Sequence, residues 1–509
     1  MFIYERYFKD VDTLVQLVPQ SAHFYSHLNY DQRRDPFKTL NQNLVATKTA
    51  ITLEDKLATQ MQGYLRNFGL DWREEVIPQI EQEIAYATLN IKNQDFPLVL
   101  LKTKEADQFS RLVMEKIRND NPLMSDEYLE IRINNFEIAP SLLTGDTASP
   151  PLLNWDKIFY TNIGNDFIIS SAQDPIEAVI DTYKERNQSL ESKIAARYTS
   201  KVFYSYLELD KWKSDSDQNQ WLSSWQQILE DNNVEQIFLF LESETDYTRL
   251  VIESPKGIFS GLSSAEGIDL NFFNYLPADF QLAVYQENIG EKLKQSQQSF
   301  LKTKLTQLDV NSLSTITAML PQQDIFSQLL NNPALVVQDE SGNYLIIIQS
   351  QREEIDQSFN QLEEQLKEIA SLFHPSEQEI IFDDQDRAIE LVPNKDNITA
   401  SQEGGLGDTF FSIDFGSTKI IYGQGGDYIF LSNSFQLVQS SLTSQEESQQ
   451  YSQSYQKCPD LLQNEIMLWP LANLQLPLLG TVGQPSNVLI AGSDLNNKYF
   501  LLEGCLFLE

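Results

Sequence analysis

Apolar residues along the chain follow two patterns, one typical of buried strands and one typical of amphipathic helices. Leu345–Gln349 and Ile237–Leu241 are nearly continuous apolar runs, which predict strands that are covered on both faces. Other segments repeat apolar residues at spacings of three and four, which places them on one stripe of a helix. Two such stripes are Leu53, Leu57, Met61, Tyr64, Leu65 and Phe68, and further along Ile355, Phe359, Leu362, Leu366 and Ile369.

The order of strands and helices recurs after about 250 residues, as expected of an internal duplication. Five pairs of segments match in the same order: Leu17–Ser26 with Tyr275–Val284, Phe96–Arg118 with Asn343–Phe373, Ile158–Ile169 with Phe410–Phe430, Lys201–Leu209 with Glu465–Leu474, and Asn233–Glu253 with Asn487–Glu509. In the third pair, the turn at Gly164-Asn165-Asp166 aligns with Gly425-Gly426-Asp427.

These matches predict an α+β protein made of two tandem copies of an antiparallel sheet packed with helices on one face. The copies are expected to be related by a pseudo-twofold axis. We expect the first repeat at residues 1–255, a linker at 256–267, where Gly, Ser and Lys replace the apolar pattern, and the second repeat at 268–509.

The composition adds a constraint on partners. The 509 residues include 73 acidic and 37 basic side chains, a net charge of −36, while 41 % hydrophobic residues suffice for a large core. Basic residues form no run longer than Arg33-Arg34, and this argues against binding to nucleic acid or to an anionic membrane surface.

The two ends of the chain leave alternatives open. The chain has two cysteines, Cys458 and Cys505, which form either one disulfide or two buried thiols. No apolar run is long enough to cross a bilayer, and Met1–Val18 lacks the features of a signal peptide. Phe2-Ile3-Tyr4 with Tyr7-Phe8 forms an aromatic start, which is either the foot of a missing N-terminal membrane anchor or a cap on the first domain. Ser440–Gln456 is rich in Ser and Gln and predicts a disordered insertion.

One segment resembles a nucleotide-binding loop. Phe411–Lys419 contains Asp414-Phe415-Gly416-Ser417, similar to the first phosphate loop of the actin and sugar-kinase ATPases. That loop opens the first domain of those proteins, whereas here it lies deep in the second repeat. We therefore expect a hairpin turn and no bound nucleotide.

Histidines and carboxylates are the other candidates for chemistry. His23 and His27 are four residues apart on an expected strand, about 13 Å from each other and too far apart for one metal ion. His374 precedes Pro375 at a helix end. Asp383-Asp384-Gln385-Asp386 predicts a hairpin turn rather than a calcium loop, and Glu242-Ser243-Glu244-Thr245-Asp246 is a second acidic run. We therefore expect no catalytic, cofactor-binding or metal-binding residues, and no cofactor.

The segments Leu17–Leu28, Ala334–Gln349, Phe410–Ser432 and Lys201–Asp210 resemble an exported bacterial family catalogued as domain of unknown function 3352. Members of that family are two-repeat proteins, usually held by one N-terminal transmembrane helix. The resemblance implies a place outside the cytoplasm, at the cell surface or in the periplasm, and supplies no activity and no site residues.

Together these observations predict a non-enzymatic structural or binding protein of the bacterial cell envelope, with envelope proteins as its partners. Two alternatives remain. One is a hydrolase with a carboxylate-based site between the repeats, in which acids of one repeat lack counterparts in the other and have raised pKa values. The other is a carrier of an apolar ligand, held between sheet and helices.

Overall fold

The structure is a computed structural model of the 509-residue chain. It describes residues 11–29, 61, 70–118, 123–137, 155, 157–209, 235–243, 248–254, 270–277, 280–286, 332–339, 341–350, 355–373, 378–382, 388–393, 398–403, 409–415, 419–443, 466–470, 475–476, 480–481, 488–494 and 500–506. The chain divides into two compact units, the first made of Met1–Phe259, Leu471–Asn487 and Asn497–Glu509, the second of Ser260–Pro470 and Val488–Asn496. Both units combine helices with antiparallel strands, which confirms the predicted α+β class.

The first unit contains eleven described strands and three described helices, each entered in chain order. They are β1 (Ala22–Asn29), β2 (Ile80–Ile91), β3 (Gln94–Thr103), α1 (Ala106–Arg118), β4 (Met124–Tyr128), β5 (Ile131–Glu137), β6 (Lys157–Ile163), β7 (Asp166–Ser170), α2 (Gln173–Tyr183), α3 (Ala196–Thr199), β8 (Phe203–Glu208), β9 (Gln236–Ser243), β10 (Thr248–Ser254) and, at the end of the chain, β24 (Phe500–Leu506). Short 3-10 turns lie at Leu14–Gln16, Ile77–Gln79 and Leu190–Lys193, and a π-helix lies at Trp72–Val76.

These strands pair antiparallel in the order β4-β5-β6-β7-β3-β2-β1-β8-β9-β10-β24. Every residue of Ile237–Leu241 is buried, as the apolar run predicted. The strand order matters for function because it places β1, which begins near the N-terminus, in the middle of the sheet.

The helices of the first unit cover both faces of its sheet, so the predicted placement on one face is wrong there. Phe109 of α1 packs edge-on against Phe167, with ring centroids 4.8 Å apart. Ile176 and Val179 of α2 belong to the same apolar cluster as Ile168. Because Phe167 and Ile168 are neighbours on β7, their side chains point to opposite faces. We call the face that carries Ile168 the cluster face.

The second unit is built from the following elements in chain order. They are a 3-10 turn (Leu270–Tyr275), β11 (Phe280–Gln286), β12 (Ala334–Asp339), β13 (Tyr344–Gln349), α4 (Ile355–Phe373), β14 (Gln378–Phe382), β15 (Ala388–Pro393), β16 (Ser401–Gln402), β17 (Phe410–Asp414), β18 (Lys419–Gly425), β19 (Tyr428–Ser432), α5 (Phe435–Thr443), β20 (Ile466–Pro470) and β23 (Val488–Asp494). Its main strands pair antiparallel in the order β16-β17-β18-β19-β13-β12-β11-β20-β23. β14 and β15 form a separate hairpin, and the short strands β21 (Gln475–Leu476) and β22 (Gly480–Thr481) pair with each other.

Helix α4 confirms the predicted stripe, since Ile355, Leu362 and Leu366 are buried. Of the other predicted stripe only Met61 is described, as a buried helical residue; the rest lies outside the described residues. The predicted disordered insertion begins within α5, because Ser440 and Thr443 are helical, and its later part lies outside the described residues.

The division of the chain differs from the predicted boundaries at the C-terminal end. We expected residues 268–509 to form one repeat, but β24 belongs to the first unit. The reason is main-chain pairing: β24 runs antiparallel to β10 over its full length, from Phe500 opposite Ser254 to Leu506 opposite Thr248. The predicted linker, Cys458 and the aromatic residues 2–8 lie outside the described residues.

Candidate functional site

Polar and charged side chains gather on the cluster face of the first unit, around Asp12. We call this group the Asp12 cluster; its members are Asp12, Thr13, Tyr25, His27, Glu83, Lys102, Asp166 and Tyr204. Strand register explains how they meet. His27 lies opposite Ala85 on one side and Tyr204 on the other, and Lys102 lies opposite Asp166. Side chains two residues apart share a face, so these positions form adjacent rows across β8, β1, β2, β3 and β7.

Asp12 is the centre of the cluster. It is 1 % exposed, and both carboxylate oxygens accept two hydrogen bonds. Oδ1 accepts from the backbone amides of Leu14 (2.8 Å) and Val15 (3.1 Å), so Asp12 caps the 3-10 turn that begins at Leu14. Oδ2 accepts from the hydroxyls of Tyr25 (2.7 Å) and Tyr204 (2.6 Å). A carboxylate has about four acceptor sites, and these four donors use all of them.

The two tyrosines are held neutral by this environment. Burial raises the pKa of Tyr25 and Tyr204 well above the ordinary tyrosine value, and the negative charge of Asp12 raises both further. Their hydroxyls therefore act as permanent donors to Asp12 and join β1 and β8 to the segment that precedes β1.

Glu83 and Lys102 form the outer part of the cluster. Glu83 Oε2 accepts from the amide and the hydroxyl of Thr13, at 3.1 and 3.0 Å. Lys102 Nζ donates to Thr13 Oγ1 (2.5 Å) and to Glu83 Oε1 (3.3 Å). The lysine side chain is 21 % exposed, so this end of the cluster reaches solvent.

Asp166 is the carboxyl group with the most strongly perturbed pKa in this cluster. Burial raises its pKa from 3.8 to about 6; Lys102 lowers it, and the charges of Glu83, Glu81 and Asp12 raise it. Its Oδ1 accepts no hydrogen bond from the described residues. Near neutral pH this group exchanges a proton readily, which is a property that acid–base sites require.

His27 is completely buried, and its Nε2 lies 3.6 Å from Asp12 Oδ1. That distance is longer than a hydrogen bond, and neither ring nitrogen has a hydrogen-bond partner among the described residues. Asp12, His27 and Glu83 each offer one ligand atom, and these three atoms lie within 4.8 Å of one another. The arrangement can therefore hold a small cation or a proton, whereas the depth of Asp12 and His27 leaves no room for a large substrate beside them.

The histidines predicted from the sequence lie on one strand, as expected, and the structure does not bring them together. His23 faces Asp95, with Nε2 and Oδ2 at 3.8 Å, while His27 faces Asp12. His374 lies outside the described residues.

The other sequence candidates occupy hairpins. Asp414 ends β17 opposite Lys419, the first residue of β18, so the loop-like motif is a strand-turn-strand as predicted. β14 and β15 flank the acidic run at 383–386, which itself lies outside the described residues. Glu242 pairs with Lys201 and Arg249 near the end of β9.

Sequence reasoning missed Asp12, Glu83, Lys102, Asp166 and Tyr204. These residues come from five separate segments, and no local spacing connects them. The usable signal was charge at inward positions of strands: Glu83 and Lys102 interrupt the face that otherwise carries Ala85, Ala87, Leu98 and Leu100.

Comparison with protein-family models, curated proteins and solved structures gives no significant match. Among the described residues, no helix has both the length and the apolar character needed to cross a bilayer.

Proposed function

We propose that the protein is a duplicated, non-enzymatic structural or binding protein of the bacterial cell envelope, working outside the cytoplasm. The resemblance to the exported two-repeat family, the acidic surface and the few cysteines support the location. Envelope proteins are the proposed partners.

Duplication is supported by the strand order of the two units. Counted from the edge strand, β4-β5-β6-β7-β3-β2-β1-β8-β9 corresponds to β16-β17-β18-β19-β13-β12-β11-β20-β23. A helix follows the third strand of each unit along the chain, as α1 follows β3 and α4 follows β13. Two unrelated antiparallel sheets would have no reason to share so long an order.

A shared irregularity fixes the alignment more closely. The pairing of β1 with β2 shifts between Ala22 and Phe24, and the pairing of β11 with β12 shifts between Phe280 and Leu282. Such bulges locally bend a strand, and a common position supports common descent of the two units. The alignment places Tyr25 with Ala283 and His27 with Tyr285.

The hairpin alignment predicted from the sequence needs a correction by one residue. Gly164 is the first turn residue after Ile163, and Gly426, not Gly425, is the first turn residue after β18. Both glycines have positive φ, +61° and +62°, which a first turn residue of this hairpin class requires. Asp166 therefore aligns with Tyr428, not with Asp427.

The observation that carries the non-enzymatic part of the proposal is the saturation of Asp12. A catalytic carboxylate needs a free lone pair or proton directed at a substrate, but all four acceptor sites of Asp12 are used by the protein's own donors. The cluster thus serves to fasten the N-terminal segment to the middle of the sheet.

A labelling experiment tests the location. Lys92 is 81 % exposed and suits a membrane-impermeant amine reagent, applied to cells with a permeabilised outer layer before and after lysis. We expect labelling before lysis, with a cytoplasmic protein unlabelled in the same sample as control. Labelling that requires lysis would contradict the proposed location.

A carboxylate hydrolase is the second candidate, favoured by the raised pKa of Asp166 and by the lack of an acid at its aligned position, Tyr428. Its site would lie within the first unit. The full-length chain is assayed with chromogenic esters, phosphate esters and glycosides from pH 4 to 8. Turnover that is lost in Asp166→Asn, with the fold intact, would favour this candidate over the non-enzymatic one.

A further inference from the structure

His27 is the most incompletely satisfied group of the Asp12 cluster. Its side chain is 0 % exposed, and both ring nitrogens lack a hydrogen-bond partner among the described residues. A buried imidazole normally gives its nitrogens to donors, acceptors or a metal ion. Nε2 nevertheless points at a carboxylate oxygen that is slightly too far away for a hydrogen bond, Asp12 Oδ1 at 3.6 Å.

That separation is the one expected for two ligands of the same ion. Nitrogen and carboxylate ligands lie about 2.0–2.2 Å from zinc, which sets tetrahedral ligand atoms roughly 3.4 Å apart. Glu83 supplies a third ligand atom within 4.8 Å of the other two. All three residues are buried, at 1 %, 0 % and 7 % exposure for Asp12, His27 and Glu83.

We infer that Asp12, His27 and Glu83 form a structural site for one divalent transition-metal ion of the zinc, cobalt or manganese class. An imidazole ligand favours these ions over calcium and magnesium, which prefer oxygen alone. The inference is independent of the proposed location and of the lack of enzymatic activity, because a buried structural ion serves either.

The surroundings orient the ligands. Tyr25 and Tyr204 hold Oδ2 of Asp12, and Thr13 holds Oε2 of Glu83, as outer-shell groups do around protein-bound metals. To bind an ion through Oδ1, Asp12 gives up the longer of its two amide hydrogen bonds, the one from Val15. Glu83 has Oε1 available if Lys102, 3.3 Å away, turns toward its exposed end.

Charge favours a cation at this place. Asp12 and Glu83 bring two negative charges into the cluster, and Lys102 compensates one of them. The competing occupant is a single proton on His27, which would turn the 3.6 Å contact with Asp12 into a buried ion pair without any metal.

The test uses the full-length chain, stripped with a chelator and titrated calorimetrically with Zn²⁺, Co²⁺ and Mn²⁺ separately. We expect one tight equivalent of Zn²⁺ or Co²⁺, a visible Co²⁺ absorption band of an N/O site, and a rise in Tm on binding. His27→Gln is expected to weaken binding at least tenfold. His23→Gln is the matched control, because His23 is also buried on β1 but faces Asp95.

If His27→Gln fails to fold, histidine-labelled wild-type protein gives the answer by NMR. Addition of Zn²⁺ is expected to shift one of the three imidazole signals, with loss of its exchangeable proton. Three results would overturn the inference: no stoichiometric metal, equal binding by the His27 and His23 variants, or a buried imidazole that stays doubly protonated when Zn²⁺ is present.

Discussion

The two units place different chemistry at the same sheet positions. In the first unit, Tyr25, His27 and Asp166 belong to the charged Asp12 cluster. In the second, the aligned positions are Ala283, Tyr285 and Tyr428, and Phe272 packs on the two tyrosine rings with centroids 5.4 and 5.0 Å away. Gln349 stands where Lys102 does, and Leu270 precedes Pro277 by the same distance as Asp12 precedes Pro19.

The difference shows two ways to fasten a 3-10 turn to the centre of a sheet. An aromatic cluster relies on packing, which is insensitive to pH and ions. A buried carboxylate relies on hydrogen bonds with fixed donors, which is more directional but costs desolvation and responds to protons and cations. The first unit therefore carries the responsive centre and the second the inert one.

The largest expected effect is that of Asp12→Ala. This change leaves two tyrosine hydroxyls and two amides without their buried acceptor, and we expect a loss of about 3–5 kcal/mol in the free energy of unfolding. Urea unfolding followed by fluorescence measures it, since Trp72 and Trp155 belong to the first unit. A loss below about 1 kcal/mol would mean that the cluster does not fasten this segment.

Phe272→Ala makes the corresponding change in the second unit. Loss of a fully buried ring is expected to cost about 3–4 kcal/mol through the cavity it leaves. Hydrogen exchange of second-unit peptides locates the effect, which should be the same at pH 5 and pH 8. A strong pH dependence would break the contrast between the two centres.

Asp166→Asn is expected to change how stability depends on pH. The folded pKa of about 6 lies above the unfolded value of 3.8, so the folded state keeps a proton that the unfolded state has lost. The stability from this group is full below pH 4 and disappears as pH rises to about 6, by about 3 kcal/mol at 1.36 kcal/mol per pKa unit. Urea midpoints from pH 4 to 8 should show this fall in the wild type; a variant with the same fall would assign it to another group.

Tyr25→Phe removes one hydroxyl from Asp12 and retains the ring. A hydrogen bond to a charged acceptor contributes about 1.5–3 kcal/mol, and a loss in that range is expected. The control is the same substitution in an Asp12→Asn background, where a double-mutant cycle should show a smaller loss. Equal losses in both backgrounds would separate Tyr25 from Asp12.

The smallest effects are those of Gly164→Ala and Gly426→Ala, each expected to cost about 1 kcal/mol because both glycines have positive φ. Similar shifts in thermal unfolding would support the corrected alignment of the hairpins. A cost at one turn only would argue that the two turns are not equivalent.

Much of the local structure could be predicted from the sequence. The spacing of Ile355, Leu362 and Leu366 gave α4, and the turn at Gly164 gave the hairpin of β6 and β7. Both depend on neighbours in the chain. The placement of helices on one face of the sheet could not be predicted correctly, because α1 and α2 are each amphipathic whichever face they cover.

The sequence by itself determined the α+β class, the elements and the order in which they recur, because these follow from short-range periodicity. Only the tertiary structure decided that Asp12 meets Tyr204, 192 residues away, and that β24 closes on β10. Long-range pairing fixes such contacts through strand register, and a register is a property of two segments together. The chemistry of the Asp12 cluster is therefore invisible in any single stretch of the chain.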